Sequence, residues 1–242
     1  MSFDRKGYIK IENFFSKRDI SNLLFDIKKN YEFQFIRHNL KGSFEENMIQ
    51  LFNKNFTAFA NCGKHNQHGN IDLYRLATSE RIVETLKGLG LRRPSLSTRP
   101  VIMQNHKNLS MSDIHYKTPS HQDWGSIRGS KNSVVVWVPL MDVTTQEGPV
   151  NFIPKSHKQG LMESRSVGGF STVEAKEDDF IFEEMNAGDI LIFSTFLIHK
   201  SGEILNNKIR WSCHFRYNDM EEVDFINRDY HYNYIYKPIM EN

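Results

Sequence analysis

Apolar residues recur at spacings of three and four through the first ninety residues, a pattern typical of amphipathic helices. After a short strand at Tyr8 and Ile9, this pattern predicts helices over about 16–30, 43–59 and 79–87. The glycines that follow the third helix are stop signals. The face of the first helix that should pack on a sheet carries Ile20, Leu23, Leu24 and Ile27.

Beyond Leu91 the pattern changes to short runs of β-branched and aromatic residues separated by turn residues. We predict strands in VVVWVPL (134–140), VNFIP (150–154), ILIFST (190–195) and IRWSCHFRY (209–217). The last strand should pair antiparallel with the strand before it, through a loop containing Asn206 and Asn207. Such strands indicate a sandwich or barrel. The stretch 155–184 between them is predicted to be a long loop, of the kind that covers sites.

Length and composition favour one folded domain. The chain has 242 residues, of which 39% are hydrophobic and 25% charged, and it contains no long low-complexity stretch. We therefore predict a single domain over 1–242. It comprises a mostly helical part over 1–92, a β-rich core over 93–217 and a C-terminal extension over 218–242, whose aromatic run (230–238) should pack on the core.

Charge and cysteine usage narrow the class of protein. Lys and Arg number 31 against 29 Asp and Glu, so no basic stripe indicates nucleic-acid binding. There is no run of about 18 apolar residues and no signal peptide in MSFDRKGYIK, so neither a membrane span nor secretion is predicted. The two cysteines, Cys62 and Cys213, are too few for a disulfide framework and should be buried thiols. We expect a cytoplasmic protein.

The segment HQDW supplies a candidate pair of metal ligands. His121 and Asp123 are two residues apart, so in an extended strand their side chains point to one face. A mononuclear iron(II) centre that activates O₂ needs two histidines and one carboxylate, with three positions left open. An H-x-D match alone is common by chance, so the hypothesis depends on a third ligand.

His199 is the candidate third ligand. It directly follows the apolar run ILIFSTFLI, where a polar ring needs a partner. The competing interpretation is a hydrogen-bonded structural histidine. Two other histidines, His106 and His115, are expected on a loop near the entrance rather than at the metal.

Two polar residues downstream of His199 suit a dicarboxylate. Ser201 follows it by two positions and Arg210 by eleven, on the next predicted strand. A guanidinium is a planar, permanently charged fork that pairs with a carboxylate through two hydrogen bonds, and a hydroxyl adds one more donor. Taken alone, Arg210 is better explained as a surface arginine.

Five segments together resemble one known family. They are HQD (121–123), VWVPL ending at Leu140, EGPVNFIPKSH (147–157), GDILIF from Gly188, and HKSG with IRWSCHF (199–215). In these the chain is similar to the phytanoyl-CoA dioxygenase family of iron(II) and 2-oxoglutarate dependent oxygenases. The resemblance implies a mainly β fold with flanking helices, in which a double-stranded β-helix (a cupin-like jelly roll) follows N-terminal helices.

The resemblance also implies roles for individual residues. Iron(II) would be held by His121, Asp123 and His199, and 2-oxoglutarate by Arg210 and Ser201, with Gln104 and Trp137 lining the cosubstrate pocket. O₂ is the second cosubstrate, and ascorbate is a possible reductant. Lys155 stands where the family usually carries glycine, so the loop that follows is expected to differ in shape.

The implied reaction is hydroxylation of a small polar metabolite or biosynthetic intermediate, with release of succinate and CO₂. The carboxylate of Asp123 disfavours halogenation, for which related enzymes carry a small residue there. Side chains predicted to face the barrel mouth and contact substrate are Tyr116, Trp124, Arg128, Phe170 and Arg216, although each also suits ordinary packing or solvation. Desaturation, cyclisation or epimerisation on the same centre, and a non-catalytic cupin-like binding protein, remain alternatives.

Overall fold

Eight helices and eleven strands form the part of the chain described by this computed structural model, residues 2–110, 117–167 and 169–233. The helices are α1 (Ser2–Lys6), α2 (Lys17–Arg37), α3 (Phe44–Lys54), α4 (Phe56–Gly69), α5 (Ile71–Ala77), α6 (Glu80–Gly88), α7 (Asp123–Ile127) and α8 (Val223–Asn227). The strands are β1 (Tyr8–Ile11), β2 (Pro94–Leu96), β3 (Val101–Asn105), β4 (Val134–Pro139), β5 (Val150–Phe152), β6 (Ser164–Val167), β7 (Phe170–Val173), β8 (Ile181–Phe182), β9 (Ile190–Ser194), β10 (His199–Ser201) and β11 (Arg210–Asp219).

The helical first part is confirmed, with different boundaries. α2 begins after its predicted cap, Ser16, but runs on to Arg37 because Tyr31 and Phe35 continue its buried face. The predicted helix over 43–59 is two helices, since Asn55 ends α3 and its side chain caps α4. α5 was not predicted, whereas α6 matches its prediction closely.

The strands form antiparallel sheets, and all four predicted strands are present as β4, β5, β9 and β11. The largest sheet has the order β1-β9-β4-β11-β2, and β3 also pairs with β11. A three-stranded sheet has the order β10-β5-β8, and β6 and β7 form a hairpin. The described chain is therefore mainly β with helices packed against it.

The predicted pairing of β11 with the strand before it is wrong. β10 belongs to the smaller sheet, where it pairs with β5, and β4 lies between β9 and β11 in the larger one. The chain thus crosses from one sheet to the other between Ser201 and Arg210. Partner choice among buried strands depends on the packing of the whole sheet, which a local loop signal does not report.

The prediction of a long loop over 155–184 is also wrong. This stretch contains the β6–β7 hairpin and the short strand β8. Every residue of β6 is exposed, so its sequence SRSV carries no alternation of apolar and polar positions that would have marked a strand. Lys155 itself has φ 67°, a left-handed conformation that glycine adopts without steric cost.

Two apolar cores hold the layers together. The larger one packs the N-terminal helices against one face of the large sheet, with Val134, Val136 and Val138 of β4 among its members. The smaller one lies on the opposite face, where Val135 of β4 meets Phe152 of β5. Successive residues of β4 therefore point alternately to the helices and to the small sheet, as a fully buried strand requires.

Several smaller predictions have clear outcomes. Cys62 and Cys213 are buried free thiols, as predicted. No helix within the described ranges is long and apolar enough to cross a bilayer.

In the aromatic run, Tyr230 and Tyr232 pack on Phe225 of α8 at ring-centroid distances of 5.4 and 6.0 Å, and residues 234–238 lie outside the described part.

A buried carboxylate fixes the end of β11. Asp219 accepts hydrogen bonds from the backbone N–H groups of Arg92, Arg93 and Glu221 at 3.1, 2.9 and 3.0 Å, and from Asn132 Nδ2 at 2.9 Å. Burial raises the pKa of this carboxyl, but these four donors outweigh burial and the pKa is lowered. Asp219 thereby joins the helical part to the sheet.

Replacement of Asp219 by asparagine is expected to lower the free energy of unfolding by at least about 2 kcal/mol at pH 7. The amide's NH₂ group cannot accept hydrogen bonds, so partly buried N–H donors are left unpaired at about 1–3 kcal/mol each. Because the folded pKa is lowered, the native contribution is complete above the unfolded pKa of about 3.9 and disappears as pH falls through the folded value. Denaturant titrations at several pH values measure this difference.

The control is Asp72→Asn, which changes a partly exposed carboxylate whose partner, Arg75, lies on the same helix. It should change stability by less than about 0.5 kcal/mol. Equal stability of Asp219→Asn and Asp72→Asn at pH 7 would show that the four hydrogen bonds contribute little.

Candidate metal centre

The backbone joins the two candidate histidine ligands directly. His121 and His199 exchange two hydrogen bonds, from His121 N to His199 O at 2.9 Å and from His199 N to His121 O at 3.0 Å. Their rings consequently lie side by side, with centroids 4.1 Å apart. Residues separated by almost eighty positions in the sequence are thus adjacent at the start of β10.

Asp123 completes the cluster by a different route from the predicted one. It is the first residue of α7 rather than part of an extended strand, so the argument from alternation in a strand is wrong for this residue. Its carboxylate nevertheless faces both imidazoles, with Oδ1 3.9 Å from His121 Nε2 and Oδ2 3.9 Å from His199 Nε2. The turn into the helix brings the carboxylate to the same point.

Each histidine is held in one orientation by a backbone carbonyl. His121 Nδ1 lies 2.8 Å from Pro119 O, and His199 Nδ1 lies 2.9 Å from Leu197 O. A carbonyl only accepts hydrogen bonds, so Nδ1 carries the proton in both rings and the Nε2 lone pair faces the cluster. This is the arrangement in which histidine binds metals, with the other ring nitrogen hydrogen-bonded.

The protonation states also suit metal binding. Burial, with a further contribution from His121, lowers the pKa of His199 to about 3, so this ring is neutral at physiological pH. Burial raises the pKa of Asp123, but Arg216 and the two histidines outweigh it and hold the pKa well below its usual range. A neutral imidazole at His199 and a carboxylate at Asp123 are therefore available without displacing a proton.

The cluster fits a divalent metal ion. One ligand atom from each of His121, Asp123 and His199 lies within 4.8 Å of the other two, and two of the residues are buried. Two imidazole nitrogens and one carboxylate oxygen on one side of an ion are the donor set of mononuclear iron(II) oxygenases, which leaves positions open for cosubstrate and O₂. The donors present thus match the implied iron.

A cavity of about 280 Å³ opens on this cluster. Besides the three candidate ligands, it is lined by Ser201 and Arg210, as the sequence predicted. Arg210 arrives there through its pairing with Asn105 of β3, not through pairing with the strand that carries His199. The structure therefore brings all five members of the predicted set to one cavity.

Arg210 is buried, with 3% of its surface exposed. Its Nη1 donates to the carbonyl of Gly148, and its Nε has no hydrogen-bond partner within the described chain. Burial lowers the pKa of Arg210 to about 10, so the group still carries its charge at neutral pH. No carboxylate of the described residues forms an ion pair with Arg210.

The turn that contacts Arg210 is itself fixed by a buried carboxylate. Glu147 accepts hydrogen bonds from Thr144 N at 3.0 Å and from Asn206 Nδ2 at 2.7 Å. Its neighbour Gly148 has φ 68°, and a Cβ there would lie 2.7 Å from the carbonyl oxygen of Gly202. Only glycine fits this close approach of two backbone segments.

Two residues implied by the family resemblance lie elsewhere. Gln104 points away from the cavity, because its strand neighbours Met103 and Asn105 line it, and its Oε1 accepts a hydrogen bond from Tyr31 OH at 2.9 Å. Trp137 is buried in the smaller core and is not among the side chains lining the cavity. The structure thus gives both residues packing positions.

Of the five candidate substrate residues, only some line the cavity. Phe170 and Arg216 line the cavity, whereas Tyr116 lies outside the described residues. Trp124 stacks on Phe196 at a centroid distance of 5.0 Å and does not line it. Arg128 is exposed at the end of α7.

The two other histidines of interest are not in the cluster. His106 follows β3 but is buried, with 1% exposure, on the helix side of the large sheet, so its prediction as an entrance residue is wrong. Its Nδ1 accepts a hydrogen bond from Asn108 N at 3.1 Å. His115 lies outside the described residues.

The cavity-lining residues that sequence reasoning missed include Thr118, Lys200 and His214. His214 could have been found, because it lies four positions after Arg210 on the same strand and therefore on the same face. Its Nε2 is buried and has no partner among the described residues. Burial, with Arg216 second, holds its pKa well below the usual range, so the ring is neutral.

Cavity size does not single out this site. A larger cavity of about 860 Å³ lies between α2, α3 and the start of β11, lined by residues such as Lys28, Glu45 and Trp211. It contains no group of metal-ligating side chains among the described residues. The chemistry of the lining, rather than volume, identifies the smaller cavity.

The site combines two histidines, a carboxylate and a buried guanidinium between antiparallel sheets. This combination defines the class of mononuclear non-haem iron oxygenases that use a 2-oxo acid. A family model described as phytanoyl-CoA dioxygenase (PhyH) matches residues 3–212. The chain belongs to the phytanoyl-CoA dioxygenase family. It is an oxygenase that depends on iron and 2-oxoglutarate, as its sequence predicted.

Relatives and solved structures agree with this assignment. The chain is 27% identical over 242 aligned positions to a phytanoyl-CoA dioxygenase of Arabidopsis thaliana, covering 86% of this chain and 83% of that protein. It is 32% identical over 97 positions to 1-deoxypentalenic acid 11-beta-hydroxylase of Streptomyces arenae. That match covers 36% of this chain and only 34% of the hydroxylase.

The fold is also similar to that of a crystal structure of the epimerase SnoN in complex with Fe3+, alpha ketoglutarate and nogalamycin RO. The TM-score is 0.62 at 18% sequence identity, and the alignment covers 90% of this chain and 80% of SnoN. At this identity the similarity concerns the fold.

Proposed function

We propose that this oxygenase hydroxylates a small, polar, anionic metabolite, with 2-oxoglutarate converted to succinate and CO₂. The observation that carries the proposal is Arg210, a buried and charged guanidinium without a carboxylate partner in the described chain, facing the cavity that holds the candidate metal ligands. An uncompensated buried charge costs several kcal/mol. A bound dicarboxylate removes that cost.

Each residue of the set has a distinct role in this proposal. His121, Asp123 and His199 hold iron(II), and the iron supplies the activation of O₂ and the oxidation of an unreactive C–H bond. Arg210 binds the distal carboxylate of 2-oxoglutarate through its guanidinium, and Ser201 donates a hydroxyl hydrogen bond to the same group. Gln104 and Trp137 are left with packing roles.

The layout of the sheets supports a double-stranded β-helix. The large and small sheets enclose the smaller core, and His199, on the edge strand β10 of the small sheet, contacts Phe193 of the large sheet at a ring-centroid distance of 4.7 Å. The β6–β7 hairpin closes one side of the cavity through Phe170. We infer a jelly-roll core within a single domain, in which the hairpin shields the oxidising centre from water.

Size and charge of the cavity support the substrate class. About 280 Å³ must house the cosubstrate and part of the substrate, which favours a small molecule. Asp123, Arg210 and Arg216 are the charged lining groups apart from Lys200, whose ammonium pairs with Glu177. With iron(II) and doubly charged 2-oxoglutarate added, one positive charge remains, and an anionic substrate would balance it.

The named activity of one relative agrees with an anionic substrate. That of a protein with a similar fold adds a second possible outcome of the reaction. The Streptomyces hydroxylase is named for an acid, 1-deoxypentalenic acid. SnoN, with the similar fold, is an epimerase, so the same type of centre supports outcomes other than hydroxylation. Epimerisation is therefore the second candidate, and the mass of the product distinguishes the two because hydroxylation adds an oxygen atom.

The experiment is an anaerobic reconstitution with iron(II), ascorbate and 2-oxoglutarate, followed by exposure to O₂ in the presence of a pool of small anionic metabolites. We expect one metabolite to gain one oxygen atom, with succinate formed in equal amount, and both changes to be absent in Asp123→Ala. Loss of two hydrogen atoms would indicate desaturation or cyclisation instead. Failure to form succinate under any condition would favour a non-catalytic binding protein and refute the proposal.

A further inference from the structure

Arg216 makes a paired contact with the carboxylate of Asp123. It lies on β11, six positions after Arg210 and on the same face of the strand. Its Nε is 3.3 Å from Asp123 Oδ2 and its Nη2 is 3.1 Å from Asp123 Oδ1. The two side chains are 17% and 7% exposed, so the pair is largely shielded from water.

We propose that Arg216 is a positioning residue that fixes the orientation of the Asp123 carboxylate as a metal ligand. This inference rests on the proposed function, since it assumes that Asp123 binds iron. A free aspartate carboxylate rotates about its terminal torsion with a broad, roughly two-fold preference. A guanidinium that donates a hydrogen bond to each oxygen restricts this rotation, and one lone pair of each oxygen remains available to a metal.

Among the described residues, no other hydrogen bond orients this carboxylate. Within the described ranges, Arg216 is the only hydrogen-bond donor to Asp123, and the histidine Nε2 atoms at 3.9 Å are beyond hydrogen-bond distance. The two histidines, in contrast, each have a backbone carbonyl that fixes the ring. Arg216 therefore does for the aspartate what those carbonyls do for His121 and His199.

Arginine suits this task better than lysine. Its planar fork matches the carboxylate geometry, and its charge persists at any physiological pH. The charge also repels a divalent metal, so the contact is a compromise between orientation and electrostatic repulsion. Partners that hydrogen-bond to metal ligands contribute about 10–100-fold to metal affinity when mutated, and we expect orientation to prevail here as well.

The same geometry argues against Arg216 as the primary substrate contact. Two of its donors are already committed to Asp123, and breaking a shielded ion pair to receive substrate would leave the carboxylate unpaired. A positioning role thus replaces the substrate-binding role predicted from the sequence.

The test compares the full-length protein with Arg216→Met, which removes the fork but keeps the apolar stem, and Arg216→Lys, which keeps a charge. Mn(II), a redox-inert probe, is titrated into each protein without O₂. We expect Arg216→Met to bind Mn(II) about 10–100-fold more weakly and Arg216→Lys to fall in between. Arg75→Met, which removes an exposed arginine on α5, should bind like the wild type.

A second readout separates positioning from general destabilisation. At saturating iron(II) and 2-oxoglutarate without O₂, the visible charge-transfer band of the complex reports the ligands around the metal. We expect the band to shift in Arg216→Met and to return towards the wild-type position in Arg216→Lys. Loss of folding alone would reduce its intensity without moving it.

Wild-type Mn(II) affinity together with an unshifted band in Arg216→Met would overturn the positioning role. Metal binding by the wild-type protein without any charge-transfer band would instead contradict 2-oxoglutarate use, and thus the proposed function itself. The two failures are therefore distinguishable in one set of titrations.

Discussion

Replacing His199 by alanine is expected to reduce 2-oxoglutarate turnover more than a hundredfold. The imidazole contributes one of three candidate ligand atoms, and its neutral state and fixed Nδ1 hydrogen bond leave Nε2 free for the metal. Mutation of a residue that merely supports a metal ligand costs about 10–100-fold in affinity or activity, so loss of the ligand itself should exceed that range. Succinate formation at saturating iron(II) measures the effect.

The matched control is His68→Ala, which removes an exposed histidine on α4. It should retain wild-type turnover. Thermal unfolding of both variants without metal checks that His199→Ala is folded, because its ring is buried. Turnover of folded His199→Ala within a few-fold of the wild type would remove this residue from the metal centre.

Replacing Arg210 by methionine should raise the concentration of 2-oxoglutarate needed for half-maximal turnover by about thirtyfold or more. Truncating one member of a buried, hydrogen-bonded charge pair costs about 2–5 kcal/mol, and 1.4 kcal/mol corresponds to a factor of ten. Methionine keeps much of the volume of the arginine side chain at this buried position. Binding of Mn(II) in the absence of cosubstrate should stay within a few-fold of the wild type, because Arg210 is not a candidate ligand.

A change in the cosubstrate provides the control for Arg210. 2-Oxopentanoate lacks the distal carboxylate of 2-oxoglutarate but keeps the 2-oxo acid group. The wild type should discriminate strongly between the two acids, whereas Arg210→Met should hardly do so. Equal discrimination by both proteins would show that the distal carboxylate binds elsewhere.

The sequence predicted the types of element more reliably than their connections. Helix α6 follows from the three-and-four spacing of its apolar residues, and strands β4, β5, β9 and β11 follow from local runs of β-branched and aromatic residues. The partner of β11 did not follow, since pairing is decided by how the large and small sheets pack on each other around the smaller core. The β6–β7 hairpin was also missed, because every residue of β6 is exposed and its sequence carries no apolar pattern.

The candidate site was predicted in composition but only partly in geometry. His121, Asp123 and His199 do lie close together, although Asp123 is the first residue of a helix rather than part of a strand. Their roles as ligands, and those of Arg210 and Ser201, remain predictions. The contact between Asp123 and Arg216 was not foreseen, because the two residues are 93 positions apart and only the completed sheet brings them together.

The paired backbone hydrogen bonds between His121 and His199 bear on which metal ion binds at the site in a cell. Main-chain hydrogen bonds set the spacing of these two ligands, so the pair itself does not select one divalent ion over another. Sites with such nitrogen and oxygen donors generally bind copper, nickel and zinc more tightly than iron(II). We therefore expect the supply of free metal ions to decide which ion occupies the site. Zinc should compete with iron(II) and inhibit the enzyme wherever iron is scarce.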